Sequence, residues 1–492
     1  MHRKRKSGIL LHPTSLPGPD GIGSLGKECR HFLDFLAAAG QSLWQVLPLG
    51  PAAHGNSPYS CYSAFAGNPL LIDLAALTEE GDLSGKEPLE FPADYVDFAV
   101  VEGHKSRLLK AAAARFHTHA DRERKEEFWH FCDTTAWLHD YALFMALKEH
   151  FSGKSWNAWP REIARRESEA LEKYSVRLGP AVGEQKYIQW QFFRQWRRIR
   201  EYANGKGIAI VGDIPIFVAF DSADVWVNPE LFHLDEKEKP TVVAGVPPDY
   251  FSKTGQRWGN PLYNWSAMAD RGYGWWIERF RKSLELHDVV RVDHFRGFEA
   301  YWEIPAREKT AVNGRWVPGP GVAFFDTVLG ALGELPLIAE DLGVITPEVE
   351  ALRDRYRFPG MKILQFAFDS GSCNPYLPHN YTPDCVVYSG THDNDTTVGW
   401  FHSLSPHQRE LVLHYTGTSG RDIAWELIRL GLSSVAAMAI FPLQDILGCD
   451  GSCRMNLPGT PRGNWSWRFT PGLLTDRLAD RLHELTSLFG RH

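Results

Sequence analysis

The chain has 492 residues, 43% of them hydrophobic and 23% charged, with a formal net charge of −7 at neutral pH. Such a balance suits a water-soluble enzyme with ample material for a core and argues against a disordered chain. The charge is dispersed, so the short basic run from His2 to Lys6 reads as a solvated terminus rather than a nucleic-acid site.

No apolar run approaches the length of a membrane span, and Gly8-Ile9-Leu10-Leu11 is too brief for a signal-peptide core. A cytoplasmic location is expected. The seven cysteines form no Cys-x-x-Cys, and Cys449-x-x-x-Cys453 has no second ligand pair nearby, so all read as reduced thiols. Aromatic residues make up 13%, with 18 Trp. Several lie in polar loops, around Trp258, Trp275-Trp276, and Trp465 with Trp467. Flat rings beside amides and carboxylates suit sugar faces, although core packing explains most aromatics in any protein.

In chain order, Ser7 to Pro13 reads as a first strand, and Lys27 to Ala39 as a helix closed by Gly40. Ser42 to Leu49 reads as a second strand, giving a βαβ unit and parallel pairing. Residues 74–206 are mostly helical, with periodic stretches over Phe128–Phe151 and Glu184–Asn204, and are expected to form an inserted subdomain. Their aromatic stripes (Trp137, Tyr141, Phe144; Trp190, Phe193, Trp196) are expected in its core.

The near-continuous apolar run Gly207–Phe217 predicts a strand buried on both faces. Residues 221–274 form a second long excursion, expected to be a lid or substrate-binding region. Further strands are predicted at Asp288–His294, Leu335–Ala339, Met361–Phe368, Cys385–Ser389 and Val435–Phe441. Eight strands alternating with helices predict a single α/β (β/α)8 barrel over residues 1–492, with long insertions after strands 2 and 3 and no separate C-terminal domain.

Barrel enzymes carry their chemistry at the C-terminal strand ends. Here those ends bear Asp213, Asp293, Glu340-Asp341 and His392-Asp393-Asn394-Asp395. Within Arg291-Val292-Asp293-His294, a period of two sets Arg291 and Asp293 on one face and His294 on the other. A neighbouring guanidinium favours the ionised carboxylate. Carboxylates converging without a metal suggest glycoside chemistry, in which one attacks the anomeric carbon and a protonated neighbour donates to the leaving oxygen. Glu340 follows Leu337-Ile338-Ala339 and has the apolar walls and the reach for the acid. Strand parity leaves Asp393 and Asp395 as alternatives for a third carboxylate. His392, Asp393 and Asp395 also admit a divalent-metal reading, but the first strand offers only His12 where barrel metallohydrolases place His-x-His. No Gly-x-Gly-x-x-Gly or Walker-type loop is read beside these strand ends, so nucleotide chemistry gains no support.

The chain resembles the bacterial amylomaltases (4-α-glucanotransferases, or disproportionating enzymes) of the α-amylase clan. The matching motifs are His12-Pro13-Thr14-Ser15-Leu16-Pro17-Gly18, Trp44-Gln45-Val46-Leu47-Pro48-Leu49, Ser57-Pro58-Tyr59 and Gly212-Asp213-Ile214-Pro215. They continue with Pro247-Pro248-Asp249-Tyr250-Phe251, Gly255 to Pro261, Arg291 to Arg296, Ala339-Glu340-Asp341-Leu342-Gly343, Gly390 to Asp395 and Arg462-Gly463-Asn464-Trp465.

The resemblance implies a retaining double displacement with Asp293 as nucleophile, Glu340 as general acid/base and Asp393 as transition-state stabiliser. It also implies that Arg291 and His392 hold the nucleophile and sugar, that Tyr59 stacks on the ring, and that Asp213 binds its hydroxyls. Ser57, His294, Trp258, Asn260 and Asn464 are implied substrate-binding residues, and Tyr250 and Phe251 sit in a lid over the acceptor side. His54 departs from the resemblance, which commonly has an aromatic nearby. No cofactor and no metal are implied. The expected partners are maltooligosaccharides and α-1,4-glucans as donor and acceptor. An α-amylase-like hydrolase using the same acids and a non-catalytic glucan-binding scaffold are the rival readings.

Overall fold

Among the described residues the chain forms twelve strands interspersed with helices. In order they are β1 (Lys6–Leu10), β2 (Leu43–Gln45), β3 (Ala209–Pro215), β4 (Val242–Val246), β5 (Gln256–Pro261), β6 (Val289–Asp293), β7 (Ala300–Pro305), β8 (Arg315–Pro318), β9 (Leu337–Ala339), β10 (Gly360–Ile363), β11 (Cys385–Tyr388) and β12 (Met438–Pro442). The structure is a computed structural model that describes residues 4–492 except 54, 86–88, 249–251 and 461.

Eight of the strands form one sheet in the order β10-β11-β12-β1-β2-β3-β6-β9. Every pairing within it is parallel. The two end strands close on each other: Ala339 N–H donates to the Pro359 carbonyl at 2.9 Å. One turn further on, the Asp341 carboxylate takes the place of a ladder acceptor and receives the Met361 N–H at 2.7 Å. The sheet is therefore a (β/α)8 barrel, as the alternating pattern predicts. Its strands are short and apolar because helices cover their outer faces; Val290 and Val292 of β6 and Ile338 of β9 are completely buried.

Several boundaries differ from expectation. The second strand ends at Gln45 rather than Leu49, where Pro48 removes a donor from the ladder. The sixth expected strand stops at Ile363 and tightens into a 3-10 turn over Leu364–Phe366. The stretch Phe128–Phe151, read as one periodic run, lies in two helices, Arg122–Thr134 and Leu138–His150. Thr135 breaks them by leaving helical geometry (φ −108°, ψ 91°). The helix Gly179–Gly205 overlaps the other periodic run. Tyr141, Phe144, Trp190 and Trp196 are buried, and Trp137 packs on Phe193 at 5.7 Å.

A four-stranded antiparallel sheet, β5-β4-β7-β8, stands beside the barrel and has no counterpart in the sequence reading. Val242–Val246 is a short apolar run inside a Pro/Gly-rich excursion, and its partner β7 lies beyond β6 in sequence. Nothing local reveals such a pairing. The sheet leaves β6 through the 3-10 turn Phe295–Phe298, so it grows from the rim where the carboxylates sit. Among the described residues no helix is long and apolar enough to cross a membrane.

Trp275 and Trp276, expected in a loop, lie in the helix Gly274–Leu286. Trp276 is fully buried, with ring centroids 5.3 Å from Phe298 and 5.6 Å from Phe324. Trp465 and Trp467 are also buried, whereas Trp258 is 40% exposed. Replacing Trp276→Ala deletes the centre of this cluster and is expected to cost about 3–5 kcal/mol. The thermal unfolding midpoint should drop by several degrees; an unchanged midpoint would show that the cluster collapses without loss.

Candidate active site

Arg291 points into the barrel from β6 and is almost completely buried. Its guanidinium donates to both Asp213 carboxylate oxygens, at 2.8 and 2.6 Å, and to Asp293 Oδ1 at 2.9 Å. Register explains the arrangement: β3 pairs with β6 so that Asp213 lies opposite Arg291, while Asp293 is two residues along on the same face. Arg291 Nε lies 3.3 Å from Met361 Sδ. Below, Tyr388 donates to Gln45 Oε1 at 2.8 Å across the bore. Burial pushes the Asp213 carboxyl up, against the pull of Arg291, and the Asp293 charge adds to the rise. With two guanidinium bonds and the Tyr59 hydroxyl donating at 2.7 Å, we describe the pair as ionised.

The strand ends at Asp293. His294 then adopts left-handed backbone geometry (φ 55°), a conformation that is uncommon for a residue with a Cβ. The twist aims its N–H at Glu340, whose Oε2 accepts it at 2.7 Å. Glu340 Oε1 accepts the Leu342 N–H at 3.0 Å. Burial raises the Glu340 pKa from its ordinary value to about 8, and the charge of Asp293 is the second cause. Adjacent Asp341 turns the other way, bonding Met361 N–H and Arg353. One of the two neighbouring acids thus seals the barrel while the other faces its mouth.

The fourth carboxylate-bearing segment follows β11 and is a turn, not an extended strand. Parity therefore does not apply, and Asp393 and Asp395 diverge. Asp393 Oδ1 accepts from Asn456 Nδ2 at 2.6 Å and lies 3.5 Å from His392 Nε2, with its side chain 48% exposed. Arg454 donates to the Asp393 carbonyl at 2.6 Å. Asp395 instead accepts the Thr396 N–H at 2.8 Å, and its carbonyl accepts from Gln365 at 2.9 Å, fixing the turn. Among the described residues no three His, Cys, Asp or Glu side chains are grouped to hold a metal ion.

Aromatic walls complete the mouth. Tyr59 stacks on His392 (centroids 5.0 Å apart, planes 19° apart), with Trp465 behind both. Burial lowers the His392 pKa, so the ring is neutral. Ser57 accepts the Tyr59 N–H at 3.3 Å and so positions that residue. Trp258 meets the His294 ring edge-on at 4.8 Å. The Asn260 amide donates to Val218 O at 2.9 Å. Asn464 uses its amide within its own loop, accepting from Leu457 N–H and donating to Thr460 O. Tyr250, Phe251 and His54 lie outside the described residues. Sequence reasoning missed Arg454 and Asn456: both sit in an irregular loop with no periodic signal, and only the fold carries them to Asp393.

One sequence feature needs correcting. Gly21-Ile22-Gly23-Ser24-Leu25-Gly26 does have Gly-x-Gly-x-x-Gly spacing, ahead of the helix Lys27–Ala38. Its glycines serve close packing. A Cβ on Gly23 would come within 1.9 Å of the Pro13 carbonyl, and one on Gly26 within 2.5 Å of the Asp73 carboxyl. Asp73 also accepts from Ser24 Oγ at 2.9 Å. A carboxylate thus lies against this loop, where a phosphate-binding loop presents its amides to an anion.

Comparison with known proteins agrees with this geometry. A family model described as 4-alpha-glucanotransferase matches residues 11–475. The 4-alpha-glucanotransferase of Synechocystis sp. is 55% identical, the match covering 99% of this chain and 98% of the relative. That of Thermus thermophilus is 53% identical, covering 99% of each. Among solved structures, the amylomaltase from Streptococcus agalactiae in complex with acarbose superposes with a TM-score of 0.95 at 40% identity, covering 99% of this chain and 100% of that one. A barrel whose strand ends gather Asp293, Glu340 and Asp393, matched over nearly its whole length by these proteins, belongs to the 4-alpha-glucanotransferase family.

Proposed function

We propose that the chain cuts an α-1,4-glucan, retains the donor segment on Asp293 as a covalent ester, and passes it to the 4-hydroxyl of a second glucan. The observation that carries this reading is the Arg291–Asp293 ion pair beside a partly buried Glu340 whose proton is held partly by the Asp293 charge. A nucleophile must be anionic and fixed; an acid must be protonated near neutral pH. Burial and the Asp293 charge raise Glu340 in the sense an acid requires.

In the first step Asp293 attacks the anomeric carbon while Glu340 gives its proton to the departing glycosidic oxygen. In the second, Glu340 takes a proton from the acceptor hydroxyl as that oxygen displaces Asp293, so the anomeric configuration is retained. Asp393, pinned by Asn456, adds negative charge near the cationic transition state. Tyr59, His392, Asp213, His294 and Trp258 line the same mouth, which supports assigning them to the sugar at and beside the cleavage point. Asn260 and Asn464, whose amides bond backbone, support it by shaping the walls. We read residues 1–492 as one catalytic unit with 74–206 and 221–274 as insertions. The seven free thiols support a reducing, cytoplasmic compartment.

Maltotriose separates transfer from hydrolysis. Transfer yields glucose and longer chains at constant reducing-end concentration; a steady rise in reducing ends would favour the hydrolase reading. Asp293→Ala should lower turnover by roughly 10⁴-fold or more, and a variant matching the parent would revive the scaffold reading.

The raised Glu340 pKa fixes the sign of the pH dependence. Its acid form prevails below that pKa, so kcat/KM falls as pH rises through it. In Asp293→Asn, one cause of the rise is removed, and 13C-labelled Glu340 should titrate at lower pH than in the parent. An unshifted titration would contradict the electrostatic pairing.

A further inference from the structure

The turn that carries His392 and Asp393 is fastened at both ends by one carboxylate. The chain leaves β11 at Tyr388, runs through Ser389 to Thr396, and enters the helix Thr397–Ser403. Asp445 lies in the short helix Leu443–Ile446 that follows β12 and is 1% exposed. Its Oδ2 accepts from Ser389 Oγ at 2.5 Å and from Thr397 Oγ1 at 2.7 Å, and its Oδ1 accepts the Thr397 N–H at 2.7 Å. Ser389 and Thr397 are themselves completely buried. Within the turn, Asn394 Oδ1 accepts the Thr391 N–H at 2.8 Å and Thr391 Oγ1 at 2.9 Å. Those inner bonds fix the turn's shape, not its position. Gln365 adds one bond from outside, to the Asp395 carbonyl.

A buried acid with matched donors often serves the fold alone. Three observations go further here. The two residues it binds bracket the segment that carries both His392 and Asp393. That segment borders a cavity, lined by Thr391, His392, Asn394 and Asp395 together with His12 and Gln444, so packing does not fill the space beside it. The helix of Asp445 is also tied to the loop that holds Asp393. There the Gln444 carbonyl accepts the Cys449 N–H at 2.9 Å, and the Gln444 amide donates to the Cys453 carbonyl at 3.3 Å, next to Arg454. One stretch after β12 thus supports the two ends of the turn through Asp445 and its middle through Arg454 and Asn456.

We propose that Asp445 is a positioning residue of the reaction: one carboxylate holds Ser389 and Thr397, and through them sets where His392 and Asp393 stand. It touches no substrate itself. A group set about 1 Å out of place can cost on the order of a hundredfold in rate. The hydrogen-bond pattern dictates which substitutions the position tolerates. Asn has the shape of Asp, and its carbonyl oxygen can take the Thr397 N–H, which only donates. Its two amide protons can go to the hydroxyls, which accept as well as donate. Leu is of similar size, accepts nothing, and leaves a buried N–H unpaired. The effect on rate rests on the role proposed for Asp393; the fastening of the turn does not.

Turnover of the full-length protein is followed as fluoride release from α-glucosyl fluoride, a readout that does not depend on whether the glucosyl group passes to a sugar or to water. Asp445→Asn is expected to keep most of the parent's kcat. Asp445→Leu, shown to be folded by its thermal unfolding, is expected to lose roughly ten- to hundredfold in kcat. In an Asp393→Asn background the same Leu substitution should cost far less, because the group it misplaces is already gone. A Leu variant with parental kcat, an Asn variant as slow as the Leu variant, or a loss by the same factor in both backgrounds would overturn the proposal. Should Asp445→Leu not fold, Ser389→Ala/Thr397→Val removes the two hydroxyl bonds and should slow turnover in the same sense; parental kcat there contradicts the proposal equally. A parent that releases fluoride yet fails to lengthen maltotriose would count instead against the proposed transfer.

Discussion

One guanidinium shared between two carboxylates sets the terms for the rest of this site. A buried arginine costs several kcal/mol to desolvate and survives only where its donors are matched. Arg291 meets that condition by spending two bonds on Asp213 and one on Asp293. Removing either acid would leave a buried charge partly unpaired. Parallel pairing of β3 with β6 supplies the registry for the first, and the strand's period of two supplies the second. The anion at the rim is therefore a property of the barrel rather than of a loop. Asp293, so anchored, raises the Glu340 pKa through its charge, while Arg291 itself pulls that pKa down.

The other walls show a gradient of rigidity. Glu340 is held by two backbone amides, one of them aimed by the left-handed His294. Asp393, by contrast, is half exposed and depends on side chains from a separate loop. Asp293 closes β6 and Glu340 directly follows β9, so both are placed by strands. The group nearest solvent is held by a loop, where small shifts in backbone can change its placement. Transfer in preference to hydrolysis requires water to be kept from the ester intermediate. Under the proposed function, Tyr59 and the exposed Trp258 would offer apolar surface to an incoming sugar.

Much of this was legible in the residues. Alternating apolar runs and helical periods predict the barrel, and the carboxylates cluster at one end of its strands. Arg291 beside Asp293 follows from strand parity alone. The antiparallel sheet was not legible, since β4 pairs with β7 across the whole of β6, β5 pairs only with β4, and both leave only short, unpatterned runs. Parity could not separate Asp393 from Asp395 because the chain there is a turn. Nor could it find Arg454 and Asn456, some sixty positions from Asp393, whose contacts exist only once the barrel closes. The tryptophans mislead in the opposite sense: polar neighbours suggest exposed loops, yet Trp276 lies in a helix and both it and Trp465 are buried.

The claim on which the account depends is that an ionised Asp293 carries the glucan between two partners. The most direct measurement is mass spectrometry of a Glu340→Gln variant quenched during reaction with an activated glucosyl donor, followed by peptide mapping. The account predicts a glucosyl adduct on the peptide spanning residues 289–296, attached at Asp293. Full donor consumption with unmodified protein throughout, or an adduct on any other residue, would contradict it.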